Sequence, residues 1–215
     1  AAPARRFAEG PGRERLAEAW PRLAELWRRK QLEYTWLRAA AGVHADFETV
    51  TREALDWTAA KLSAEGLSLS EADREALMEI HLEIDAFPEV PEMLARLKAA
   101  GLATAILSNG TPRMLAAAAA SAGIADRLDA MLSVESVGRF KPAPEVYGLV
   151  ARRFGAPAGA VLFVSSNPWD AAAATGFGFR TLWVNRAGDP PDRLPWRPER
   201  EARDLAGVPE TAAAL

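Results

Sequence analysis

Apolar residues in the first ninety positions recur at helical spacing. Leu23, Trp27, Tyr34 and Leu37 fall on one face at steps of four and three, with Lys30 at the seam position between Trp27 and Tyr34. This predicts a helix through the twenties and thirties, with Pro21 in its first turn, where a missing N–H is harmless. Phe47, Val50, Leu55 and Trp57 predict a second helix over about 47–62, and Gly66 breaks the pattern. Ser70-Glu71-Ala72-Asp73 then matches a capping box with Asp replacing the usual Glu or Gln. It predicts a third helix from Ser70 to about Ile84, ahead of Pro88 and Pro91.

From about residue 90 the texture changes to helices alternating with short, continuously apolar strands. A helix over 91–100 stops at Gly101, and strand 103–107, helix 112–122 and strand 130–134 follow. Helix 144–154, strand 161–164, helix 169–175 and strand 180–184 continue the alternation. Pro190–Pro198 reads as a surface excursion and the alanine-rich end as a last short helix. Apolar strands separated by helices predict a parallel sheet covered on both faces. The expected fold class is α/β: a doubly wound parallel-sheet (Rossmann-like) core with a helical segment ahead of it. No internal repeat occurs.

Composition then narrows the chemistry. With 49% apolar and 26% charged residues in 215, the chain can bury a proper core. Its 26 basic and 29 acidic residues, net −3, carry no electrostatic footprint for nucleic acid. No apolar run reaches about 18 residues and no signal peptide is recognisable, so a cytoplasmic protein without a membrane partner is expected. With no cysteine, thiolate nucleophiles, disulfides and Cys-type zinc sites are excluded together. The two histidines, His44 and His81, have helix-like surroundings and no His or acidic partner at ligand spacing. They read as surface or half-buried helix residues, and no metal site is expected. Neither lies near a poised serine, which disfavours a Ser-His-Asp hydrolase. Carboxylates, hydroxyls, lysine and arginine remain.

In an open doubly wound sheet, ligands sit at the carboxyl ends of strands. After the first strand comes Ser108-Asn109-Gly110-Thr111-Pro112, whose hydroxyl, amide and helix-start N–H groups suit an anion. After the second comes Gly138-Arg139-Phe140-Lys141-Pro142, and after the third Ser165-Ser166-Asn167-Pro168-Trp169-Asp170. Taken singly, these are a capped turn, a solvated lysine and a carboxylate favoured by a helix dipole. Three successive strand ends bearing Ser/Asn, Lys and Ser/Asn/Asp favour one functional crevice.

These motifs resemble the haloacid dehalogenase superfamily, and within it the L-2-haloacid dehalogenases. The run Leu26-Trp27-Arg28-Arg29-Lys30-Gln31-Leu32-Glu33-Tyr34-Thr35-Trp36-Leu37-Arg38 is similar to the start of their cap domain. The resemblance implies a helical cap over 8–88, an α/β core over 89–215, and residues 1–7 as a remnant following the first core strand. It implies an enzyme with no cofactor that hydrolyses short L-2-haloalkanoic acids to D-2-hydroxy acids and halide through an aspartyl ester. A homodimer is expected from the Trp/Tyr/Leu seam of the first helix, which can pair two copies, the alternative being that the same seam packs the cap onto the core. By motif match, Arg28 binds the departing halide with Asn109 and Trp169, while Ser108 and Lys141 hold the substrate carboxylate and the nucleophile. Asp170, supported by Ser165 and Asn167, positions or activates the hydrolytic water. Tyr147 matches a position near the site, and Leu32 and Phe47 match pocket walls.

The family nucleophile sits in an Asp-x-Tyr-Gly-Thr motif on the first strand, and that motif does not occur here. The chain opens Ala1-Ala2-Pro3-Ala4-Arg5-Arg6, matching sequence shortly after that strand, so about fifteen residues of the pattern are expected ahead of it. Arg29, where relatives often carry Gln, and Pro168 are milder departures. A magnesium-dependent phosphatase of the same fold is the rival enzyme, but Ser165, Ser166 and Asn167 offer no carboxylate where a hard cation needs one. A binding protein that lost the nucleophile is the alternative outside catalysis.

Overall fold

The computed structural model describes residues 14–214, so the remnant expected over 1–7 lies outside the described residues. In chain order the elements are α1 Glu14–Ala41, α2 Phe47–Ser63, α3 Glu71–Glu79, α4 Val90–Ala99, β1 Ala105–Ser108, α5 Pro112–Ser121 and β2 Ala130–Ser133. There follow α6 Pro144–Phe154, β3 Leu162–Ser165, α7 Pro168–Phe177, β4 Arg180–Val184, β5 Arg200–Ala202 and α8 Val208–Ala213. The chain divides into two compact units. One comprises the described residues through Asp85 with Ser108–Ala125 and Ser133–Phe140, the other Ala86–Leu107, Asp126–Leu132 and Lys141 onward.

The first unit is built around the antiparallel seam of its long helices. Leu16, Leu23, Leu26 and Trp27 of α1 pack with Ala54, Leu55 and Leu62 of α2 and Leu77 and Met78 of α3. Asp46 caps α2 by accepting from Thr49 N at 2.9 Å. The Ser70/Asp73 capping box at the start of α3 is present in both directions. Two expectations are corrected here. Pro21 lies inside α1 rather than in its first turn. An interior proline costs about 3 kcal/mol. Burial of Leu16 before it and Leu23 and Leu26 after it, at roughly 1.5–3 kcal/mol each, outweighs that cost. And α3 stops at Glu79, not near Ile84: Leu77 and Met78 are its last core residues, whereas Ile84 is exposed.

In the second unit β1 pairs with β2, and β3, β4 and β5 form a second ladder. Both interfaces of that ladder are parallel: Leu162 lies opposite Arg180 and Ser165 opposite Trp183, then Leu182 opposite Arg200 and Val184 opposite Ala202. Central β4 is buried from Thr181 to Val184, as a strand covered on both faces should be. Tyr147 of α6 meets Phe163 and Phe179 edge-on at centroid separations of 5.7 and 6.0 Å, which fixes that helix on the sheet. Strand β5, Arg200-Glu201-Ala202, was not expected; three residues, two of them charged, show no apolar run. The 190–198 excursion is largely exposed, yet Trp196 covers α7 at Gly176. Among the described residues no helix is long and apolar enough to cross a membrane.

Candidate active site

The second unit holds a buried charge cluster. Asp170 is the third residue of α7, delivered by the loop after β3, and Lys141 lies just ahead of α6. Lys141 Nζ donates to Asp170 Oδ2 at 2.9 Å, with both side chains nearly inaccessible (7% and 4%). Ser165 Oγ donates to the same oxygen at 3.0 Å, and Tyr147 OH donates to Oδ1 at 2.8 Å. Ser165 Oγ in turn accepts from Asn167 N at 3.2 Å, and Trp183 Nε1 donates to Ser166 O at 3.4 Å. The loop is therefore tied both to the carboxylate and to β4. Lys141 Nζ also sits 4.8 Å from the centroid of the Phe163 ring, an additional stabilising contact for a desolvated ammonium.

These surroundings set the protonation behaviour. Burial pushes the Lys141 ammonium below the ordinary lysine range, and the Asp170 charge opposes that shift. Burial, then the Asp170 charge, holds the Tyr147 phenol far above the ordinary tyrosine range, so it acts as a hydrogen-bond donor. The result is a carboxylate of fixed orientation beside a cation in a low-dielectric setting, where charges act on bound anions more strongly than in water.

The first unit carries the other expected residues. Ser108 Oγ accepts from Gly110 N at 3.1 Å, and Thr111 Oγ1 caps α5 by accepting from Met114 N at 3.2 Å. Ser133 Oγ donates to Gly110 O at 2.7 Å, so a neighbouring strand end braces this turn. A Cβ at Gly110 would lie 3.1 Å from the Leu115 side chain, so a larger residue in this turn would require that side chain to shift. Asn109 is buried within it. Arg28 is on an exposed face of α1, with Nη1 donating to Gln31 Oε1 at 2.7 Å; Leu32 is half-buried one turn on. Phe47 is buried at the start of α2, its ring centroid 6.2 Å from that of Phe140.

Thus Lys141, Tyr147, Ser165, Asn167 and Asp170 form one hydrogen-bonded set, with half-buried Trp169 in the same helix turn as Asp170. Ser108 and Asn109 share the β1 turn, and Arg28, Leu32 and Phe47 lie on α1 and α2. The histidines need correction. His44 lies in the loop between α1 and α2, with Nε2 2.9 Å from Glu135 Oε2, a partner 91 residues away that no local spacing reveals. His81 lies in the turn after α3, its ring 4.8 Å from that of Trp27 and its Nδ1 buried without a hydrogen-bond partner. Glu135, which also accepts from Phe47 N at 3.1 Å, escaped the sequence reading; its position just past β2 was the available signal. Among the described residues no group of three or more His, Asp or Glu could hold a metal ion.

A parallel-sheet α/β fold with a lysine before one helix and an acid at the start of the next supplies a paired cation and carboxylate at the strand ends. The family model of haloacid dehalogenase-like hydrolases matches residues 7–178, and the chain belongs to that family. It is 42% identical over 200 residues to the (S)-2-haloacid dehalogenase of Pseudomonas sp. (strain YL), covering 91% of this chain and 85% of that protein. It is similar also to the (S)-2-haloacid dehalogenase of Pseudomonas fluorescens, 41% identical over 86% of this chain and 80% of that one. Among solved structures, the Xanthobacter autotrophicus L-2-haloacid dehalogenase with chloropropionic acid covalently bound aligns with TM-score 0.85 and 32% identity. That match covers 99% of this chain and 94% of the other.

Proposed function

We propose that this hydrolase removes halide from C2 of short L-2-haloalkanoic acids, leaving D-2-hydroxy acids. The observation that carries the reading is Asp170, buried and held by Lys141, Ser165 and Tyr147. Covalent catalysis of this kind has two steps. A carboxylate oxygen forms a bond to C2 as the carbon–halogen bond breaks and halide leaves. Water then adds to the ester carbonyl, returning the carboxylate and freeing the hydroxy acid. The attacking aspartate implied by the resemblance belongs to an Asp-x-Tyr-Gly-Thr motif that is not in this sequence; the roles below concern the other groups.

Arg28, Asn109 and Trp169 receive the halide, Ser108 and Lys141 hold the substrate carboxylate, and Leu32 and Phe47 wall the apolar part of the substrate. Asp170, steadied by Ser165, Asn167 and Tyr147, accepts the proton of the attacking water. Residues 8–88 act as the cap and 89–215 as the core of a cytoplasmic homodimer. The reaction needs no metal: the loop after β3 offers neutral Ser165, Ser166 and Asn167, and the oxygens of Asp170 already accept from protein donors. The test is halide release from each enantiomer of 2-chloropropionate by protein of verified N-terminus, with and without a chelator. Release from the L-enantiomer alone, unchanged by chelation, is expected. Equal release from both enantiomers, or loss of turnover restored by Mg²⁺, overturns the proposal.

A further inference from the structure

The face of α1 that carries Arg28 is wired to α2 by a short chain of hydrogen bonds with a fixed direction. Thr51 Oγ1 donates to Phe47 O at 2.6 Å, one turn back in its own helix. Its single proton is thereby used, and its oxygen accepts from Gln31 Nε2 at 2.7 Å. The Gln31 amide is thus set with Oε1 outward, where it accepts from Arg28 Nη1 at 2.7 Å. Gln31 is only 3% exposed and Thr51 is fully buried, so the relay runs from the helix seam to the exposed guanidinium. Backbone and side chain of Thr51 serve the same end: its carbonyl accepts from Trp27 Nε1 at 2.8 Å, anchoring the residue before Arg28.

We propose that Gln31 and Thr51 are positioning residues for Arg28, holding its guanidinium in one orientation for a bound anion. The proposal deepens the reading of Arg28 as the halide-binding cation and rests on it. Three features favour it over a merely satisfied core glutamine. The amide is oriented by a donor whose own proton is committed, so a flipped amide would set its Oε1 against the Thr51 oxygen. The outward end of the relay is a charge, where one hydrogen bond is worth more than between neutral groups. And an exposed arginine has rotamer freedom to lose, which a preformed contact removes before substrate arrives.

The experiment compares wild type with Gln31→Leu, Gln31→Glu, Thr51→Val, Thr51→Ser and Arg28→Lys, and with Arg28→Lys/Gln31→Leu. The readouts are kcat and KM for L-2-chloropropionate and the ¹⁵N relaxation of the Arg28 Nε–H. Gln31→Leu and Thr51→Val should each lower kcat/KM by about tenfold, the scale of one hydrogen bond to a charged group. Both should also make the Arg28 signal mobile. Thr51→Ser, which keeps the hydroxyl, should stay within about twofold of wild type, and Gln31→Glu should keep Arg28 rigid because an acceptor remains. In the Arg28→Lys background, Gln31→Leu should cost less than about twofold, since residues acting through one another are non-additive. An equal, tenfold cost in both backgrounds, or a rigid Arg28 in Gln31→Leu, overturns the proposal. If Gln31→Leu does not fold, rigidity in Thr51→Val decides the matter in the same way. If wild type releases no halide, the functional reading fails, and the relaxation of Arg28 still judges the relay.

Discussion

Replacing Asp170 by Asn keeps the side-chain shape and removes the charge opposite the Lys141 ammonium. At 2.9 Å, with an effective dielectric constant of about 20, two unit charges attract by about 6 kcal/mol. Desolvation of both groups consumes part of that, and breaking a buried pair from one side typically costs about 3–5 kcal/mol. The neutral amide oxygen still accepts from Tyr147 or Ser165, but the NH2 group replaces the other acceptor, so one neutral hydrogen bond is lost along with the charge. For a chain of this size the expected drop in melting temperature is roughly 6–20 °C. In a Lys141→Met background no ammonium needs neutralising, and the same Asp170→Asn change should cost below about 1 kcal/mol, the scale of weakened neutral hydrogen bonds. The assay is urea unfolding followed by tryptophan fluorescence and circular dichroism for the four proteins of the cycle. Equal costs of Asp170→Asn in both backgrounds would show that the pair does not hold itself together and would refute the electrostatic account of the site.

Three further outcomes follow from packing and protonation. Tyr147 has its phenol pKa raised by burial and by Asp170, so the folded state stays protonated where the unfolded chain ionises. Stability present below about pH 10 is lost as pH rises above it, and Tyr147→Phe should flatten that alkaline limb in urea titrations. His81 has its pKa lowered, first by burial and then by the Arg28 charge, so the unfolded chain binds the proton more readily. Stability present above about pH 6.5 is lost as pH falls below it, and His81→Phe should give a shallower loss between pH 6.5 and 5. At Gly176 an added Cβ would run into the Trp196 ring. Gly176→Ala should therefore destabilise by about 1–3 kcal/mol, as overpacking does. In a Trp196→Ala background the helix preference of alanine is unopposed and the same change should stabilise by up to about 1 kcal/mol; the same sign in both backgrounds would count against the stacking.

The α/β order, the helix starts at Phe47 and near Ser70, and the strand-end placement of Ser108 and Asp170 were legible in the chain because each has a local cause. A capping side chain, a proline at a first helical turn and a short apolar run act within a few residues. The polar residues after β1 and β3 stood out because they recur at successive strand ends, although the first set taken singly fits a capped turn. Other features depended on partners far along the chain. Pro21 stays inside a helix because Leu16, Leu23 and Leu26 share a core with α2 and α3, and α3 ends where that core ends. The short charged strand β5 exists because Leu182–Val184 offers it a parallel edge. Glu135 meets His44 across 91 residues, and Gln31 meets Thr51 across 20. Local sequence determines which backbone conformations are cheap and which residues could serve a site. Only the tertiary structure decides which distant donor meets which acceptor, because a buried polar group must find a partner and the partner is chosen by packing rather than by spacing along the chain.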